Sequence, residues 1–396
     1  MPGLKRDPEI LGGMMGRSRR SGLAGLAAAF AFLLSACGGH GAGGDQGGGS
    51  SRPGASGKVL NLFIWADYLA PDTIARFEQQ TGIKVNIAFY DSNEQLETKL
   101  LAGRSGYDIV LPSASFFERQ IKAGVYLPLD KSKLPNLKNI DPELMSRVAA
   151  NDPGNAHGVI YMWGTIGLGY NEKMVQALLP GAPFDSWRLV FDPAVAAKIA
   201  KCGINFLDSP AEMMRVVFSY MGKDPNSQDP ADLAAAEKVL AGIRPYIRNI
   251  STADYIEALA NGDLCVAVGY NGDLLQSRDR ARDASKGIDI KYSTPKEGTV
   301  LWFDSMAIPM DAPHPDSAYA FINYILTPQV VADISNFKRY ANANLASQPF
   351  LLPDVKADPG IYPTAEIMGR LKVQTADSTD QARALTRVWQ KFKTGQ

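Results

Sequence analysis

From residue 58 onward the apolar residues follow two rhythms. Short continuous runs rich in β-branched and aromatic residues, at 59–65, 84–90 and 108–111, alternate with stretches whose apolar positions recur every three or four residues, at 93–102 and 115–123. The first rhythm predicts strands covered on both faces, and the second predicts amphipathic helices. Pro71-Asp72 opens a further helix that sets Ile74 and Phe77 on one face. After Trp163 the alternation resumes, with strands at 166–170, 204–207, 264–269 and 299–303. Helices are predicted from Ser209-Pro210 to Tyr220 and at 231–243, 272–285, 317–326 and 329–337. Repeated strand–helix units with short links predict parallel, doubly wound sheets. The roughly 340 residues involved are enough for two lobes, so an α/β chain is expected, each lobe a mainly parallel sheet flanked by helices, with a cleft between them.

The first 57 residues have neither rhythm. Arg17, Arg19 and Arg20 precede a 12-residue apolar run, Leu23 to Leu34, which is short for a bilayer span of about 20 residues and reads as a secretory signal. The run ends in Leu34-Ser35-Ala36-Cys37, which resembles a bacterial lipobox, so residues 1–36 are expected to be removed and Cys37 to carry lipid. Residues 37–57 are nearly all Gly, Ser, Ala and polar, a composition that gives a flexible tether. Export changes the reading of the other two cysteines. In an oxidising compartment Cys202 and Cys265 favour a single disulfide, with two separately buried thiols as the alternative.

Composition removes several function classes. Among 396 residues, 41 basic side chains balance 41 acidic ones. Loss of residues 1–36 takes five of the basic and two of the acidic, leaving 36 against 39. Nucleic-acid binding needs clustered Lys and Arg and is not expected. Only three histidines occur, His40, His157 and His314, each beside Gly or Pro, so neither a metal site nor a cofactor is expected. No nucleophile elbow, phosphate-binding loop or zinc-protease motif is present, and Gly164-x-x-Gly167-x-Gly169 lacks the strand-then-helix context of a dinucleotide site.

In parallel α/β lobes ligands bind beyond the carboxyl ends of strands. There the sequence places Trp65-Ala66-Asp67-Tyr68, Pro112-Ser113, Asp208 with Glu212 one turn on, Tyr270-Asn271-Gly272-Asp273 and Trp302-Phe303-Asp304. Carboxylates recur beside aromatic rings, and no Lys or Arg stands among them. That chemistry suits a cation with apolar segments, whose ammonium groups pair with carboxylates while its methylenes lie on rings. Each residue also has a structural reading: Ser209 with Glu212 as a capping box, Asp67 and Asp273 as turn or cap residues, Trp65 and Trp302 as core. Paired carboxylates would also serve a carbohydrate hydrolase.

The segments Trp65-Ala66-Asp67-Tyr68-Leu69-Ala70-Pro71-Asp72-Thr73, Tyr90-Asp91-Ser92-Asn93-Glu94, Pro112-Ser113-Ala114-Ser115-Phe116, Tyr161-Met162-Trp163-Gly164-Thr165, Phe206-Leu207-Asp208 and Tyr340-Ala341-Asn342-Ala343-Asn344 resemble the periplasmic polyamine-binding proteins of ABC importers, above all the putrescine-binding branch. The resemblance runs from about residue 58 to 396. It implies a type II periplasmic-binding fold, with 58–163 and 303–345 in one lobe and 164–302 and 346–396 in the other. The ligand set it implies is Trp65, Asp67, Tyr68, Ser113, Glu212, Tyr270, Asp273, Trp302, Asp304 and Tyr340. It also implies a bridge between Cys202 and Cys265. Three positions depart from the putrescine pattern: Ala66 replaces a hydroxyl-bearing residue, Tyr270 replaces Trp, and Trp302 replaces Phe. Putrescine and spermidine both stay open as ligands. The expected role is a monomeric, non-enzymatic receptor, held to a membrane only through Cys37, that hands polyamine to permease subunits; a polyamine sensor of the same fold is the alternative.

Overall fold

The computed structural model describes residues 58–285 and 287–396; the expected signal, Cys37 and the tether lie outside them. Eleven strands form the core: β1 (Val59–Trp65), β2 (Lys84–Tyr90), β3 (Ile109–Val110), β4 (Gly158–Asn171), β5 (Ile204–Phe206), β6 (Asn249–Ile250), β7 (Val266–Tyr270), β8 (Ile290–Ser293), β9 (Thr299–Ala307), β10 (Ala341–Asn342) and β11 (Leu371–Val373). Their order is β2-β1-β3-β9-β4-β7-β5-β6, with β10 and β8 on β4 and β11 on β9. The outer pairs β1–β2, β1–β3, β5–β7 and β5–β6 are parallel, as the strand–helix alternation predicts. The two long strands enter antiparallel: β9 against β3 and β4, and β4 against β7 and β8.

These two strands lie in the middle of the strand order. Up to Thr165, β4 pairs with β9; from Ile166 onward it pairs with β7 and β8. Toward its end β9 pairs with β3, and at its start with β11. The glycines of β4 permit this dense crossing. A Cβ on Gly164 would lie 2.6 Å from the Trp302 ring and closer still to Asn271, so only glycine lets Trp302 lie flat against the opposite strand. The spacing that looks like a nucleotide fingerprint is thus a packing device.

Local chemistry accounts for the flanking helices. The helix Thr73–Thr81 buries Phe77 against Phe321, with ring centroids 5.0 Å apart, and stops at Gly82 in the left-handed region, whose N–H bonds back to Glu78. Burying such a ring stabilises the fold by about 3 kcal/mol. Strand β1 is covered on both faces: Leu60, Leu62 and Ile64 enter the main core, and Phe63 enters a second, smaller core with Tyr90, Leu96, Val110 and Phe117. Cys202 and Cys265 are joined in a disulfide, Cα to Cα 5.4 Å, just before β5 and β7 respectively. No helix among the described residues is long and apolar enough to cross a membrane.

Candidate functional site

Asp304 lies on β9 rather than beyond its end. The strand continues to Ala307, because Phe303, Ser305 and Met306 are buried along the β4 seam. The two-residue period of a strand puts Trp302 and Asp304 on one face. The Asp304 carboxylate is only 6% exposed, not open to water, and both its oxygens are engaged: Tyr68 donates to one at 2.8 Å and Ser113 to the other at 2.6 Å. Both donors come from carboxyl-end loops, Tyr68 after β1 and Ser113 after β3. Ser113 is held in turn by Asn93, which donates to its Oγ and accepts from its backbone N–H. Asn93 was missed as a site residue, although it lies in a motif that carries the resemblance.

A second carboxylate, Asp273, sits in the first turn of the helix Asn271–Asp283. It caps nothing. Its oxygens accept from Tyr255 at 2.7 Å and Tyr340 at 2.6 Å. A Cβ on Gly272 would lie 2.4 Å from the Tyr340 ring, so glycine there lets the ring reach Asp273. Edge-to-face contacts then tie the two carboxylates together: Tyr68 to Tyr340 at 6.0 Å, Tyr340 to Trp302 at 5.2 Å, and Trp302 to Tyr270 at 6.1 Å.

The remaining predicted residues lie around this chain of rings. Trp65 donates its indole N–H to the Leu111 carbonyl and packs on Tyr90. Glu212 is buried in the first turn of its helix, but the expected capping box is absent: the Ser209 side chain makes no cap bond. Glu212 instead acts on Tyr270 through its charge, and Glu94 lies close enough to act on both. Asp67 occupies a left-handed turn position, φ 54°, and pairs with Lys338. That lysine adds a cation to the strand-end pattern, which carries none of its own; it arrives from the end of the helix Pro328–Lys338. Asp208, by contrast, binds Trp389 and Lys393 of the C-terminal helix and is structural.

Burial sets the electrostatics. It pushes the Asp304 carboxyl up to about 6 against the pull of Ser113 and Tyr68. It pushes Glu212 up to about 7, with its own backbone N–H opposing and Glu94 adding. Asp273 is also raised by burial, and the Tyr340 and Tyr255 hydroxyls oppose the shift. Among the described residues, none of these carboxylates takes a hydrogen bond from a cationic side chain, and a cation entering among them would supply a direct counter-charge.

Residues 72–364 match the family model of the bacterial extracellular solute-binding proteins. The chain belongs to this family. Among curated solute-binding proteins it is 47% identical over 342 residues to the putrescine-binding periplasmic protein SpuD of Pseudomonas aeruginosa, covering 86% of this chain and 93% of the relative. It is 48% identical over 343 residues to the putrescine-binding periplasmic protein PotF of Escherichia coli, with the same coverage. Among solved structures it resembles the spermidine/putrescine ABC transporter substrate-binding protein PotD of Streptococcus pneumoniae, with TM-score 0.73 and 28% identity over 85% of this chain and 99% of the other. The mixed α/β sheet of this chain is consistent with the two-lobed fold of the periplasmic-binding proteins among its structural neighbours.

For this solute-binding protein the raised carboxyls give opposite pH trends for binding and folding. An ammonium pairs with the ionised form, so affinity for a cationic ligand falls as pH drops through the window from about 7 to about 6. Stability of the empty protein follows the reverse sign. A folded pKa above the unfolded value favours folding fully below about pH 4, and that contribution is lost as pH rises through the folded pKa. Calorimetric affinities at about pH 8 and about pH 5 should differ by at least roughly tenfold, while these groups favour the empty fold at the lower pH. Equal affinity at both pH values counts against the assignment.

Proposed function

We propose that this protein is an extracytoplasmic polyamine receptor that delivers putrescine or spermidine to an ABC importer and performs no covalent chemistry. One observation carries the reading: two carboxylates, the buried Asp304 and the half-buried Asp273, are joined through the rings of Tyr68, Tyr340 and Trp302, and their hydrogen bonds come from neutral hydroxyls rather than cations. Each carboxylate takes one ammonium, and the intervening methylenes lie along the rings. The putrescine-binding relatives support the same ligand class and a periplasmic location. The ten predicted residues form the ligand set, nine by facing the ligand and Asp67 through its pairing with Lys338, with Asn93 orienting Ser113. The lobes are 58–163 with 303–345 and 164–302 with 346–396, closing on the ligand as a monomer that then docks on the permease. Titration calorimetry with putrescine and spermidine tests the reading; an absence of heat for both up to millimolar concentration would refute it.

Attachment through lipid at Cys37 belongs to the same proposal, and the Gly-rich segment 38–57 supports it by supplying a spacer. Cys37→Ser is expected to accumulate uncleaved precursor or to release the protein from membranes. Unchanged fractionation and undiminished lipid labelling of that variant would rule the anchor out.

A further inference from the structure

Lys338 ends the helix Pro328–Lys338 with its side chain only 1% exposed. A buried ammonium has three donors and no acceptor, and it must be paired. Among the described residues its hydrogen-bond partner is Asp67, with the Phe337 ring 4.8 Å away. Asp67 is in turn held in the left-handed region, φ 54°, in the loop after β1. The pair is tied to Asp273 through its neighbours: Asp67 precedes Tyr68 and Lys338 stands two residues before Tyr340, the two rings meet at 6.0 Å, and the Tyr340 hydroxyl donates to Asp273 at 2.6 Å. Two carboxylates and a resident cation are therefore linked here, with one of those carboxylates, the exposed Asp67, already paired.

We propose that Lys338 is a charge-selecting residue of this site: its fixed ammonium occupies Asp67, leaves Asp273 to accept a single ligand ammonium, and disfavours ligands of higher positive charge. The inference rests on the polyamine reading and deepens it. Near neutral pH putrescine carries two charges and spermidine three. Every ligand charge is repelled by Lys338, and the third finds Asp67 occupied. For charges several ångströms apart in a partly buried site, this repulsion amounts to a factor on the order of ten in affinity per additional charge. A cavity lined only by carboxylates and rings would instead favour the trication.

The test is calorimetry of wild type, Lys338→Met and Lys338→Arg with putrescine and spermidine, beside thermal melts. Lys338→Met removes the buried member of the pair and leaves Asp67, whose side chain is 68% exposed, to be solvated by water, so no buried charge is stranded. It is expected to strengthen spermidine binding relative to putrescine by roughly tenfold, whereas Lys338→Arg retains the charge and the wild-type ratio. Asp67→Asn is the second probe. It leaves the ammonium unpaired, so the ratio should move the other way, against spermidine. A purely structural lysine would shift the melting temperature and both affinities together, and an unchanged ratio in the folded variants overturns the inference. Failure of wild type to bind either polyamine is a separate outcome and overturns the underlying reading with it.

Discussion

Asp304→Asn is expected to weaken binding of both putrescine and spermidine by roughly 2 to 5 kcal/mol, the range for removing one half of a buried charge pair. The carboxylate is buried, and its two oxygens are oriented by Tyr68 and Ser113. A ligand ammonium that leaves water to meet a neutral amide loses its counter-charge there, and no other acidic residue bonds into that cluster among the described residues. The fold should change little. At neutral pH the wild-type carboxylate is disfavoured by burial, with its pKa pushed up to about 6, and a neutral amide removes that penalty. The offsetting loss is one mismatched hydrogen bond, about 1 kcal/mol, since the Ser113 and Tyr68 hydroxyls can rotate to accept. Glu212→Gln is the informative comparison. Its helix lacks the capping box, so this change too should spare stability and act on affinity. Titrations of both variants beside thermal melts decide the matter: wild-type affinity in Asp304→Asn would show that the site is elsewhere in the cleft.

Removing the Cys202–Cys265 bridge is expected to have the opposite profile, a large loss of stability with little change in affinity. The bond closes a loop with a sequence separation of 63, for which the chain-entropy relation gives about 4 kcal/mol. Its position explains why binding should survive. Residue 202 precedes β5 and residue 265 precedes β7, two parallel neighbours paired through Ile204 and Val266, and the Cys265 N–H donates to the Gly203 carbonyl. The bridge therefore fastens the amino ends of these strands, whereas Tyr270 ends β7 at its carboxyl end and Asp273 follows it. The double variant Cys202→Ala/Cys265→Ala should melt roughly 5 °C lower and bind polyamine within a few-fold of wild type. Loss of binding in a variant that remains folded would show that the bridge supports the cleft directly. Two free thiols in protein isolated from the periplasm would refute the bond itself.

Both predictions join residues far apart in the chain; the sequence named those residues, and the structure supplied the contacts between them. The strand–helix alternation was legible because each element carries its own signal: an apolar run for a strand covered on both faces, a three-to-four spacing for a helix packed on one. The predicted bounds of β2 coincide with those observed, and the helix at Pro210–Tyr220 begins at the expected proline. The carboxylates and rings of the site were legible for a related reason, since parallel strands place their carboxyl-end loops at one edge whatever else the fold does.

What the sequence could not supply was any relation set by the crossing of β4 and β9. Only the second half of β4, 166–170, was expected as strand, and Trp302 and Asp304 were placed at the carboxyl end of β9 when the strand runs on to Ala307. A glycine needed for close approach and a glycine that ends a strand are the same letter; only the opposing Trp302 ring distinguishes them. The bond between Tyr68 and Asp304 spans 236 positions, and the pairing of Lys338 with Asp67 spans 271. No local pattern encodes either. Local periodicity and residue type therefore determined that this chain builds α/β lobes with anionic, aromatic loops. Tertiary packing decided which carboxylates are buried, which hydroxyls hold them and which one is occupied by a lysine, because burial and charge pairing are properties of residues brought together and not of residues in sequence.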